Sequence, residues 1–334
     1  MMRITSLFSP LNWIKFLINP KKGFNVLNKI ITDYPRIQNF LKIKNKFFRK
    51  FVYKFFTYIV GKNNSLNFFF LKNNGKIDQI NFDVSDLEKN KNTVFQSLAY
   101  NGIVFIENAL DIIEKEKILS CFEEIKKNNL TSEWIDNNII NASEVKYKNN
   151  EMVNISYAKK DLKILPQLEN ISKIITSKVF GETVNSYAEF FLHESKEKES
   201  KDSFDDTVFH MDRYLPCLKV IYSPEKIDNY DGPFGFIKKT HKLNNPFIKD
   251  FLYKTNTSII DENKISNLIN EDSIKATCKP NTIIIVFTNG LHKRNIFLEK
   301  NILRKTIFLQ YTQNFNKLSL FNFRKFNKNS TKSF

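Results

Sequence analysis

The chain has four histidines, His193, His210, His241 and His292, all in its second half, and that concentration invites a metal reading. The sharpest local pattern is His210-Met211-Asp212, within TVFHMD. On a strand, side chains two apart point the same way, so His210 and Asp212 would face one interior and Phe209 and Met211 the other side. An imidazole beside a carboxylate is two-thirds of the 2-His-1-carboxylate set that holds non-haem ferrous iron. The pattern is short, and alone it equally describes a surface histidine beside an acid.

A third ligand has to come from a distant strand. His292 follows TIIIVFT, an apolar run long enough for a buried strand, with Asn289-Gly290 offering a turn just before it. A histidine there is either a ligand or a core residue. Arg304 shifts the weight toward a ligand. It opens RKTIFLQY twelve residues on, in a chain with only seven arginines. A dicarboxylate co-substrate calls for a fixed, always-charged fork, and lysine lacks that two-point geometry.

The elements that must position these residues follow from periodicity. Residues 93–101 read as a short helix stopped by Gly102, 103–107 as a strand, 110–129 as a charged amphipathic helix and 168–180 as a helix closed by Gly181. From 184 onward short strands dominate: VNSYAEFFLHE, TVFHMD, LKVIYS, TIIIVFT and KTIFLQYT. A mixed insertion with helical patches lies at 242–277. Helices followed by antiparallel-type strands predict an α+β fold with a β-sandwich or barrel core.

Three stretches then match one family in order: VFQSLAYNGIVFIENALDIIEKEKI, HMDRYLPCLKVIYSPEKIDNYDGPFGFIKKTHK and NTIIIVFTNGLHKRNIFLEKNILRKTIFLQYT. Over about 92–312 the chain resembles the phytanoyl-CoA dioxygenase (PhyH-like) family of Fe(II)/2-oxoglutarate-dependent oxygenases. The resemblance implies a double-stranded β-helix (jelly-roll, cupin-like) core with flanking helices. It makes His210, Asp212 and His292 the iron ligands and Arg304 the partner of the distal carboxylate of 2-oxoglutarate. Lys219 stands where a lysine recurs in part of the family, for co-substrate binding or for strand packing. His241 matches a structural Ser-His-Lys turn and is not a ligand by resemblance. His193 matches nothing, leaving a surface or a substrate-channel role. The implied activity is a dioxygenase that consumes O2, hydroxylates a small-molecule or lipid-like substrate and releases succinate and CO2. Related halogenases lack the carboxylate, so Asp212 favours hydroxylation. Lys239-Thr240-His241 and Glu225-Lys226-Ile227 depart from the family pattern in the substrate-facing loops, which leaves the substrate open.

Composition bounds the rest. A 42% apolar, 26% charged chain of 334 residues is globular, and three widely spaced cysteines (Cys121, Cys217, Cys278) exclude a disulfide scaffold and suit a reducing compartment. The net charge of +17 comes mostly from lysine and is local, with +11 in residues 1–60 and +6 in the remainder. Three domains are expected: a basic aromatic extension at 1–75, the dioxygenase domain at 76–316 and a basic tail at 317–334. In the extension, apolar residues at helical spacing (Ile37, Leu41, Phe48, Phe51, Phe55) predict amphipathic helices, which either contact anionic lipid or pack on the main domain. The apolar run at 51–60 is too short to span a bilayer. The expected location is the cytoplasm, with peripheral contact to an anionic membrane through 1–60. Arginine is scarce and no recognition motif occurs, so no specific nucleic-acid partner is expected. A second reading is a non-catalytic membrane-surface or polyanion-binding protein on a degenerate jelly roll.

Overall fold

The computed structural model of the chain describes residues 68, 77–127, 142–148, 152–157, 165–180, 184–195, 207–212, 217–242, 245, 260–299 and 302–313. The expected amphipathic helices of residues 1–60, the basic tail and Gly181 lie outside these residues. In chain order the elements are β1 (Asn81–Asp83), α1 (Asp86–Lys89), α2 (Lys91–Asn101), β2 (Ile103–Glu107), α3 (Ile112–Lys127), β3 (Ala142–Lys148) and β4 (Met152–Tyr157). Then come α4 (Pro166–Phe180), β5 (Val184–Ser195), β6 (Cys217–Ser223), β7 (Phe234–Ile237), a 3-10 turn at Glu262–Ile265 and α5 (Ser266–Asp272). The remaining strands are β8 (Ser273–Ala276), β9 (Thr282–Phe287), β10 (His292–Arg294) and β11 (Ile302–Gln313).

Alternation of side chains sorts the strands into two layers. The larger sheet has the order β1-β2-β9-β6-β11-β5-β4-β3 and the smaller one β10-β7-β8. All pairs are antiparallel except β1 with β2. On one face of the larger sheet, Val104, Leu218, Val220, Ile285 and Ile307 share a core with Leu98 of α2, Phe122 of α3 and Ile175 of α4. On its other face, Ile103, Phe105, Ile221, Ile284 and Val286 meet Phe236 and Ala276 of the smaller sheet. Strands β2 and β9 are therefore covered on both sides. Their near-continuous apolar sequences, IVFIE and TIIIVF, record that double burial. Each such side chain taken from water contributes about 1.5–3 kcal/mol.

The described residues thus form a mixed α/β structure built on two packed sheets, with α2, α3 and α4 on the outer face of the larger sheet and α5 against the smaller one. Several elements differ from the sequence expectation. TVFHMD is no regular strand and pairs only through a single bridge, His210 to His292. The in-out alternation survives nonetheless, because Phe209 and Met211 are buried in a satellite core with Ile237, Ile260, Ile265 and Leu291. Strands β1, β3, β4, β8 and β10 were not anticipated. Phe68, which falls inside the expected extension, is fully buried with its ring 6.0 Å from that of Phe287. Among the described residues no helix is long and apolar enough to cross a membrane.

Candidate metal centre

His292 is delivered by the turn that leaves β9. The N–H of Gly290 donates to the carbonyl of Phe287 (3.0 Å), closing the turn. A β-carbon at Gly290 would lie 2.8 Å from the ring of Phe236, so the turn requires glycine by close approach. Thr240-His241 braces this turn from the side. The Thr240 hydroxyl donates to the carbonyl of Ile237 (2.7 Å) and accepts from the N–H of Leu291 (2.8 Å). The Asn289 amide donates to the carbonyl of His241 (2.9 Å). The His241 ring stacks on Phe287 with centroids 5.1 Å apart, and its Nε2 sits 3.2 Å from the carbonyl oxygen of Ala99. Burial holds its pKa well below the ordinary value. His241 is therefore a core residue that shapes the turn, and it lies outside the cluster of ligand atoms.

Three backbone bonds stitch the His210–Asp212 segment to that same turn. His210 and His292 exchange N–H···O bonds (2.9 and 3.0 Å), and the N–H of Asp212 donates to the carbonyl of Thr288 (3.0 Å). The result is a convergence of groups 80 residues apart in sequence. One ligand atom from each of His210, Asp212 and His292 can be chosen so that all lie within 4.8 Å of one another. Asp212 Oδ1 is 3.3 Å from His292 Nε2 and 3.8 Å from His210 Nε2.

Both imidazoles are oriented the same way. His210 Nδ1 lies 2.8 Å from the carbonyl of Val208, and His292 Nδ1 lies 2.9 Å from that of Gly290. With Nδ1 as the donor in each, the Nε2 lone pairs point toward the carboxylate. His292 Nε2 is buried and makes no hydrogen bond among the described residues. Phe234, stacked on the His292 ring at 5.2 Å, fixes the ring plane. Burial, and then the neighbouring His292, push His210 down to about 4, so it is neutral at neutral pH. Burial alone would raise Asp212, but Lys219 and then His292 outweigh it and hold the carboxyl well below the usual range. Two imidazoles and one carboxylate, with an orphaned nitrogen aimed between them, fit a divalent transition metal. Three protein donors leave coordination positions for other ligands, unlike a closed structural site.

Lys219 and Arg304 both come from the inter-sheet face of the larger sheet. On β11, Ile307 and Leu309 face the helices, whereas Phe308 packs toward the smaller sheet. Arg304, two turns of the pleat before Phe308, shares its face. Its Nη1 donates to the carbonyls of Asp231 (3.2 Å) and Gly232, and its guanidinium lies 5.4 Å from the Phe297 ring centre. Lys219 Nζ sits 2.7 Å from Asp212 Oδ2 and 6.0 Å from the Phe308 ring centre. His193 pairs with Arg304 in the β5–β11 register, and its side chain lies outside the described atoms. Two residues at the site were missed from sequence. Phe234 stands inside the GPFGF stretch, and Thr306, two residues past Arg304 on the same strand face, has a buried hydroxyl with no hydrogen bond among the described residues.

No protein-family model and no curated protein matches this chain. Several solved structures are similar. EctD from S. alaskensis in its apoform is 14% identical, covering 76% of this chain and 83% of that one with a TM-score of 0.48. The epimerase SnoN, in complex with Fe3+, alpha ketoglutarate and nogalamycin RO, is 13% identical over 65% of this chain and 80% of its own, TM-score 0.45. HygX from Streptomyces hygroscopicus, with nickel and 2-oxoglutarate bound, is 11% identical over 66% and 86%, TM-score 0.42. At these scores the likenesses carry no functional weight.

Proposed function

We propose that this chain is an Fe(II)- and 2-oxoglutarate-dependent dioxygenase of the phytanoyl-CoA dioxygenase type, on a jelly-roll core, hydroxylating a small-molecule or lipid-like substrate. One observation carries the reading: His210, Asp212 and His292 converge with both Nε2 atoms and one carboxylate oxygen facing a common point. Bound iron would supply the oxidation of a substrate C–H by O2, coupled to conversion of 2-oxoglutarate to succinate and CO2.

The chain's own residues do the rest. Hydrogen bonds from Nδ1 to backbone carbonyls keep His210 and His292 in the ligating tautomer. The low pKa values of His210 and Asp212 keep those two ligands deprotonated at neutral pH, so no proton competes with the metal there. Arg304 receives the distal carboxylate of 2-oxoglutarate, with its fork plane set by the carbonyls of Asp231 and Gly232. The orphaned Thr306 hydroxyl is the natural second donor to that carboxylate. Phe234, Phe236 and Phe308 line the space between the sheets and limit water.

The cytoplasm as the location, and contact of residues 1–60 with an anionic membrane near an amphiphilic substrate, belong to the same proposal. Anaerobic addition of Fe(II) and 2-oxoglutarate tests the centre without knowledge of the substrate. The expected result is the visible charge-transfer absorption of a ferrous keto-acid chelate, lost in His210→Ala. Folded protein that binds iron yet shows no such absorption would sink the reading.

A further inference from the structure

Asp212 has two oxygens with different surroundings. Oδ1 is turned to the two imidazoles, at 3.3 and 3.8 Å, whereas Oδ2 lies 2.7 Å from Lys219 Nζ. The two partners differ in how firmly the backbone holds them. Lys219 belongs to a central strand, in register with Val286 of β9 on one side and Gln310 of β11 on the other. Asp212 lies in an irregular segment, and among the described residues its own backbone makes one bond, to Thr288, outside any sheet ladder. The anchored member of the pair is the lysine. An unrestrained carboxylate can bind a metal through one oxygen or chelate it through both, and chelation consumes a further coordination position.

We propose that Lys219 is a positioning residue for Asp212, holding Oδ2 so that only Oδ1 is presented to the metal. This rests on the metal-centre reading above and adds a residue that acts through a ligand. It explains a lysine inside the sandwich without assigning it to the co-substrate. The consequence is a metal face kept open for a two-point anionic chelator, beside a fixed positive charge that favours that anion.

Co(II) titration of the full chain tests it, read by binding affinity and by the visible d–d spectrum. Lys219→Met, which keeps length and apolar packing, should weaken Co(II) binding about 10-fold to 100-fold, the usual effect of losing a partner of a metal ligand. It should also change the d–d spectrum. Lys219→Arg should stay near wild type, because its fork reaches the same oxygen. In an Asp212→Ala background, Lys219→Met should alter affinity less than about twofold, since the effect acts through the carboxylate. Wild-type affinity and spectrum in Lys219→Met, or an equal loss with and without Asp212, would overturn the proposal and leave Lys219 a packing residue. Should Lys219→Met lack a cooperative melt, Lys219→Gln carries the same prediction. Equal Co(II) binding by wild type and His210→Ala would instead bring down the metal centre itself.

Discussion

His292 Nε2 is a buried nitrogen with no hydrogen bond among the described residues, and leaving such an atom unsatisfied costs about 1–3 kcal/mol. A bound metal would remove that cost. Arg304 is the complementary case, a charge already oriented by two carbonyls. Arg304→Lys retains the charge and loses the fork, so 2-oxoglutarate affinity should fall about 10-fold to 100-fold, the 1.5–3 kcal/mol of charged hydrogen bonding. Metal affinity should not move, and unchanged co-substrate affinity would count against the assignment. His241 makes a pH prediction. Its folded-state pKa lies below the ordinary 6.5 because of burial, so the unfolded chain takes up the proton first. Stability is full above 6.5 and is lost as pH falls below it, by up to about 1.4 kcal/mol per pH unit for this one group. Unfolding free energies of wild type and His241→Gln should diverge in slope there. Parallel slopes would remove His241 from the acid response.

At the scale of elements, the junction between α2 and β2 shows local and tertiary demands agreeing. Gly102 adopts φ +84°, and a β-carbon on it would run into the His241 ring. Gly102→Ala should destabilise the protein by about 2–4 kcal/mol, from the left-handed backbone and the collision together. A melting temperature within error of wild type would contradict this. The same junction was legible beforehand, because a glycine stop followed by IVFI is a strong local signal. Strands β2, β6 and β9 were legible for similar reasons, whereas HMD alone equally described a surface pair and His292 was assigned as its partner through the family resemblance. Strand β1 has three residues and β8 four, so even though β8 alternates, with Ser273 and Lys275 out and Ile274 and Ala276 in, both are too short to stand out. The β3–β4 hairpin hides in lysine- and asparagine-rich sequence. The Lys219–Asp212 contact was invisible for another reason: it depends on strand order, which no periodicity encodes. The HMD stretch was read as a strand because its side chains alternate, yet alternation reports burial on two sides and not ladder bonding.

For the whole molecule, the described residues carry the site while the charge lies largely outside them, in the +11 of residues 1–60. If that segment meets anionic lipid, the full chain should float with phosphatidylserine vesicles and not with neutral ones, and salt should release it. A chain lacking 1–60 should stay in solution. Equal flotation of both would end the membrane proposal and leave the dioxygenase reading untouched.

Strand β11 sits between β5 and β6 in the larger sheet although among the described residues it is the last strand in chain order. Synthesis therefore delivers two half-sheets, β3–β5 and β1-β2-β9-β6, each with an open edge facing the gap β11 will fill. A nascent chain holds His210, Asp212 and His292 before its sheet can close, and that interval exposes edges prone to misassembly. A message truncated upstream of residue 302 would yield a polypeptide split down its middle and missing Arg304, a target for proteases and chaperones and not a weakened enzyme.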